Sequence, residues 1–209
     1  MEKSENEPKA FKILFVGEPG TGAKTSLIKC IIGENFDKYE RSTTSCCFHE
    51  KRVKTSKGEI LLDLWDTIGQ DRYRKTTQLF FKDADCFIIG FDIINEENFK
   101  EVDYHYNYIK ENMENNPLIY LVGNKIDLFL DERVSEEEAL KYSKEKNIKY
   151  FPVSAKEGTN VDNLIADVVN ALIERCMKKN KLDQFINGKN NKTEKNLLYS
   201  KYLKKYLNF

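Results

Sequence analysis

Apolar runs of strand length recur along the chain, each followed by small or polar residues. FKILFVG (11–17) ends in glycine, and CFIIGFD (86–92), LIYLVGN (118–124) and KYFPVS (149–154) follow the same habit. VKTSKGEILLDLWD (53–66) reads as two strands around a Lys57-Gly58 turn. Between these runs lie stretches with helical spacing: Ser26 to Ile32, Glu96 to Met113, Ser135 to Lys146, and Val161 to Met177. Strands that are apolar throughout are buried on both faces, which is the habit of parallel sheets. The pattern predicts an α/β fold, a mostly parallel six-stranded sheet with helices on both faces. Ligands of such sheets bind at the carboxyl ends of the strands.

The composition narrows the function classes. The 209 residues suit one domain with a tail. Basic and acidic side chains number 34 each, so bulk charge gives no reason to expect nucleic-acid binding. The longest apolar runs are far too short to span a bilayer, and the polar start MEKSENEPKA is unlike a secretory signal. The five cysteines, at 30, 46, 47, 86 and 176, form no CxxC pair and read as reduced, small apolar residues of a cytosolic protein. From about Asn180 the composition turns polar, and INGKNNKTEKN reads as a linker. The last stretch places Tyr199, Tyr202, Leu203 and Tyr206 at helical spacing opposite Lys201, Lys204 and Lys205. It reads as an interfacial helix, as a helix that docks on its own domain or a partner, or as a tail that stays disordered.

Four segments at strand ends carry chemistry. GEPGTGAKTS (17–26) is close to the phosphate-loop pattern G-x-x-x-x-G-K-[ST], with Ala23 standing between Gly22 and Lys24. Such a loop works because successive backbone N–H groups and a helix N-terminus converge on an anion. Gly20 and Gly22 permit the turn, Lys24 supplies charge, and Thr25, followed by Ser26, supplies a hydroxyl for Mg²⁺. Taken alone, the stretch also reads as a glycine-rich turn between strand and helix. NKID (124–127) suits a flat bicyclic base: Asn124, the stem of Lys125, and the Asp127 carboxylate, which accepts two hydrogens that guanine offers and adenine does not. SAK, from Ser154 through Ala155 to Lys156, follows the next strand, where a backbone N–H can reach the guanine oxygen. WDTIGQDRY (65–73) places Asp66 to hold Mg²⁺ through a water, Gly69 to offer an N–H to a terminal phosphate, and Gln70 to orient an attacking water. The plainer reading of that segment is a strand end followed by a helix cap. An ATP-using kinase is disfavoured by NKID and SAK.

Together these motifs resemble the small GTPases of the Ras superfamily, and the Rab family above its other branches. The similarity runs from about Phe11 to Met177. WDTIGQDRY matches the family's WDTAGQERY, and FDIINEENF (91–99) is similar to YDITNEESF. RSTTSCCF (41–48) aligns with the first switch, whose family form contains STIG. The resemblance implies the G-domain fold of the P-loop NTPases over 11–178, with a polar extension at 1–10 and a linker and amphipathic tail at 179–209. It implies GTP and GDP as ligands with Mg²⁺, Thr43 as a metal-binding switch residue beside Thr25 and Asp66, and Phe36 against the guanine face. It implies effectors that meet Phe48, Trp65 and Phe80, an exchange factor and a GTPase-activating protein. The expected protein is a monomer, cytoplasmic or peripheral on endomembranes.

Four departures shape the expected activity. Ala23 must bulge or delay the helix, in a loop whose glycines at 17, 20 and 22 leave room to adjust. Ile68 replaces the family's alanine and adds stiff bulk beside the terminal phosphate, so hydrolysis is expected to be slow; the alternative is a pseudo-GTPase that binds without cycling. Thr44-Ser45 replaces Ile-Gly, which changes the surface that partners read. The sequence ends in KKYLNF, where Rabs usually carry prenylated cysteines.

Overall fold

A computed structural model describes residues 10–39, 43, 46–55, 58–67 and 80–186, with side chains as far as 178. Six strands, β1 (Phe11–Val16), β2 (Cys47–Thr55), β3 (Gly58–Asp66), β4 (Cys86–Asp92), β5 (Leu118–Asn124) and β6 (Lys149–Pro152), form one sheet in the order β2-β3-β1-β4-β5-β6. All neighbours are parallel except β2 and β3, which are antiparallel and paired from Cys47↔Asp66 to Thr55↔Gly58. The chain visits one side of β1 and then crosses to the other. The crevice at the carboxyl ends of β1 and β4 is therefore the switch point at which such sheets bind ligands.

Alternation along the strands feeds two cores. Phe11, Ile13 and Phe15 of β1 join Ile88 of β4 on one face. They are covered by α1 (Thr25–Ile32), through Leu27, Ile28 and Ile31, and by a long C-terminal helix, through Leu164, Val168 and Leu172. Leu14 and Val16 join Phe87 and Ile89 on the other face, under Val102, Ile109 and Ala139. Burial on both sides explains why β4 is buried at every position.

The helices differ in extent from the sequence expectation. The segment from Glu96 breaks at Glu101 into α2 (Glu96–Lys100) and α3 (Val102–Asn112). α4 (Glu136–Lys146) begins at Ser135, whose side chain accepts from the Glu138 N–H, and stops at Asn147 in a left-handed conformation. α5 (Val161–Ile186) runs beyond Met177. A 3₁₀ segment, Ile126–Asp131, follows β5. β2 begins earlier than expected, at Cys47, and β6 ends at Pro152.

The sheet's two edges are unlike each other. β2 alternates between exposed and half-buried positions, and its exposed row includes Phe48, Glu50, Arg52 and Lys54. Arg52 pairs with Glu59 at 3.1 Å and with Glu50 at 3.6 Å. β6 is only four residues long. No helix among the described residues is long and apolar enough to cross a membrane.

Candidate nucleotide-binding site

The loop after β1 turns back over the sheet and ends at the start of α1. Gly22 has φ +64, and a Cβ there would sit 2.8 Å from the Asn124 side-chain nitrogen, so both conformation and space require glycine. Beyond it the turn is one residue too long for an α-helix. The Leu27 N–H donates to the Gly22 carbonyl, five residues back, at 3.1 Å, and only from Ile28 to Lys24 does the four-residue spacing begin. The inserted Ala23 is thus held in a π-type turn, the usual way a helix absorbs one extra residue. Its side chain points inward and is 0% exposed.

This turn keeps Lys24 over the loop. Its ammonium donates to the carbonyls of Gly17 at 2.7 Å and Glu18 at 2.6 Å. Burial pulls the Lys24 pKa down to about 8, against the opposing charges of Asp66 and Glu18. The N-terminus of α1 has no side-chain cap and no acidic residue in its first turn. A helix end with free N–H groups beside a buried ammonium is built for an anion.

Three oxygen-bearing side chains meet beside Lys24. The Thr25 hydroxyl donates to Asp66 Oδ2 at 2.7 Å, and the Thr43 hydroxyl reaches the same oxygen at 3.2 Å. The two hydroxyl oxygens lie 2.8 Å apart. Burial pushes the Asp66 carboxyl above its ordinary range, while the Thr25 hydroxyl and Lys24 oppose the shift. Its second oxygen, Oδ1, is buried and has no hydrogen-bond partner among the described residues. A buried carboxylate oxygen left unpaired beside two hydroxyls fits a hard cation such as Mg²⁺ or its bound water.

Asn124, at the end of β5, joins the phosphate loop to the far side of the site. It donates to the Thr21 carbonyl at 3.0 Å and accepts from the Ala155 N–H at 2.9 Å. Lys125, left-handed at φ 68, donates to the Gly20 carbonyl at 2.9 Å and to Asp92 at 2.8 Å. Asp127 accepts from the Ser154 hydroxyl at 2.7 Å and faces Lys156 at 3.5 Å. Ser154 in turn accepts from the Glu157 N–H, which fixes the turn after β6. Phe36, 43% exposed, stands beyond α1. Ser26 is half-buried in the first turn of α1.

On the other side of β3, Trp65 lies between Phe48 and Phe80, with ring centroids at 5.7 and 5.6 Å. Lys12 covers the Trp65 ring at 4.8 Å. Phe48 is 52% exposed. The structure thus gathers Gly20, Gly22, Lys24, Thr25, Thr43 and Asp66 around one cradle, with Asn124, Lys125, Asp127, Ser154, Ala155 and Lys156 beside it. Ile68, Gly69, Gln70, Thr44, Ser45 and the 197–209 tail lie outside the described residues. Sequence reasoning missed Thr21, whose carbonyl in the loop accepts from Asn124; Asp92, which accepts from Lys125; and Gly90, which touches the loop at Ala23. Of these, only Gly90 left a signal, as a glycine inside an otherwise bulky strand.

Comparison with known proteins agrees with this geometry. The Ras family model matches residues 12–174. Human Ras-related protein Rab-30 is 34% identical over 166 residues, covering 79% of this chain and 81% of its own. Human Ras-related protein Rab-27A is 37% identical over 185 residues, covering 80% and 82%. Ras-related protein Rab-7a of Paramecium octaurelia is 31% identical over 166 residues, covering 77% and 80%. With most of its length matched by the Ras family and by Rab proteins, and with a lysine-held loop at the switch point of its sheet, the chain belongs to the Rab family of small GTPases.

Proposed function

We propose that the chain is a GTP/GDP-dependent switch of intracellular vesicle trafficking that hydrolyses GTP slowly. The observation that carries the reading is the convergence of Thr25, Thr43 and Asp66 next to the lysine-held loop. Thr43 comes from the segment between α1 and β2, so its attachment to this point links that segment to the state of the nucleotide.

In this reading Lys24 and the open end of α1 hold the phosphates. Thr25 and Thr43 would hold Mg²⁺ directly and Asp66 through a water, and the cation would supply charge to neutralise the phosphates. Asp127 accepts from the guanine edge, Ser154 holds that carboxylate in place, and the Ala155 and Lys156 backbone borders the guanine oxygen. The stem of Lys125 and the ring of Phe36 flank the base, and Asn124 holds the two loops together. Ser26 completes the first turn of α1. Gly69 offers its N–H to the terminal phosphate, and Gln70 orients the attacking water. Effectors read the surface around Phe48, Trp65 and Phe80, while an exchange factor and an activating protein set the cycle. The protein works from the cytoplasm, as a peripheral partner of endomembranes.

Nucleotide titration followed by single-turnover hydrolysis tests this. The chain should bind GTP and GDP in preference to ATP and cleave preloaded GTP on the order of 10⁻⁴ s⁻¹ or more slowly, as unassisted switches do. Ile68→Ala should raise the rate and Gln70→Leu should lower it. Equal affinity for ATP would sink the guanine assignment. An unchanged rate in Gln70→Leu would replace the hydrolase by a switch that binds without cycling.

A further inference from the structure

We propose that Gly90 is a positioning residue for the phosphate loop, paired with the inserted Ala23. The inference rests on reading that loop as a nucleotide cradle.

The chain has one residue too many between Gly22 and Lys24, and that residue has two places to go. Outward, it would fill the cradle. Inward, it must find room under the loop. Ala23 is fully buried, so it has gone inward. The room is at the carboxyl end of β4. A Cβ built on Gly90 would lie 2.3 Å from the Ala23 Cβ and 3.2 Å from the Ala23 carbonyl oxygen. Ordinary contacts between carbons are about 3.5–4.0 Å. Gly17 closes on the same spot from the other side, since a Cβ there would lie 2.2 Å from the Gly90 carbonyl oxygen. Gly90 is not among the glycines with positive φ. What it supplies is space, not an unusual conformation.

Any side chain at Gly90 would push Ala23 outward by roughly 1 Å to restore normal contact. The push falls on the anchors of the lysine. Lys24 follows Ala23 in the chain, and its ammonium is tied to the carbonyls of Gly17 and Glu18. The loop therefore has its cradle only because β4 gives up a side chain where the loop has gained a residue. Gly90 touches no nucleotide in this arrangement and acts through Ala23 and Gly17.

The test uses the full chain in four forms: wild type, Gly90→Ala, an Ala23 deletion, and the two changes together. GDP affinity and melting temperature are measured for each. Gly90→Ala should weaken GDP by roughly 10- to 100-fold, the worth of one hydrogen bond from a charged group such as the Lys24 ammonium. The Ala23 deletion alone supplies the reference against which the double form is read. In the double form the deletion should recover at least about tenfold, since coupled neighbours are not additive. A parallel Ala23→Gly change in the Gly90→Ala background removes only the clashing methyl and should recover part of the loss. If Gly90→Ala fails to fold, recovery of fold and GDP binding on removing Ala23 supports the pairing, and failure to recover either overturns it. Wild type that binds GDP alongside an unchanged Gly90→Ala overturns this proposal alone. Wild type that binds no GDP overturns the nucleotide reading and this proposal with it.

Discussion

Asp127 has one carboxylate oxygen fixed by the Ser154 hydroxyl and the other facing Lys156 across 3.5 Å. Its acceptors are therefore oriented before any base arrives. A guanine edge would add two hydrogen bonds to a charged acceptor, each worth about 1.5–3 kcal/mol. Asparagine presents a donor where guanine also donates. Asp127→Asn should then weaken GTP by roughly 100-fold or more on that arithmetic, while improving the binding of xanthosine triphosphate, whose edge accepts. Parallel titrations with the two nucleotides check this, and a variant that loses both equally would point to damage rather than recognition. At the same scale, Asn124 shows what one side chain can do with all its polar atoms in use. One amide ties the Thr21 carbonyl to the Ala155 N–H, so the phosphate side and the base side are one hydrogen-bonded unit.

Among the elements, α3 and α4 are joined through one carboxylate. Asp103 on α3 accepts from Lys146 and Tyr142 of α4 and from Asn107 of its own helix. Lys146 above all, with Tyr142 and Asn107 behind it, holds the Asp103 carboxyl below its ordinary range, and burial opposes them. A lowered carboxyl pKa gives stability that is present above the unfolded value, about 4, and is lost as pH falls through the folded value. Asp103 is half-exposed, so solvent screening limits the link to under about 1 kcal/mol. Asp103→Asn should lower stability by that amount at pH 7, and the gap from wild type should close below about pH 4. Urea unfolding at both pH values measures it.

The elements also show what a sequence displays and what it hides. β4 and β5 were legible because burial on both faces leaves an uninterrupted apolar run. The break at Glu101 was not, because the residues on either side of it are equally compatible with a helix. Neither was the inward course of Ala23, because its direction depends on the space beside Gly90, which is remote in sequence and adjacent only in the fold. The 3₁₀ segment after β5 was hidden too, although NKID within and before it marked the location of a site.

At the scale of the molecule, the hydrogen bonds at Asp66, where we propose that Mg²⁺ binds, join three distant parts of the chain: α1 through Thr25, the segment before β2 through Thr43, and the end of β3 through Asp66 itself. Removing Mg²⁺ should therefore loosen the bound nucleotide as a whole. Loss of contacts worth about 1.5–3 kcal/mol implies GDP release faster by roughly tenfold or more on chelation. Release of a fluorescent GDP with and without EDTA reads this directly, and Thr25→Ala should reduce the difference. A chelator that changes nothing would remove the cation from the site.

The charged row on β2 has a consequence for the protein in concentrated solution. The chain has zero net charge, so mutual repulsion does little to keep its copies apart. Among the described residues no strand lies beyond β2 or β6, and an edge of that kind is under those conditions a template for further strands. One edge is short, since β6 offers only four residues. The other is long, and there a newcomer strand would have to lie against Glu50, Arg52 and Lys54 and desolvate them. Colloidal behaviour is therefore expected to depend on these three side chains. Replacing all three with valine should leave GDP affinity as it was and give a light-scattering signal that grows with concentration more steeply than that of the wild type. Growth no steeper than that of the wild type would show that the edge is kept clear by something other than its charges.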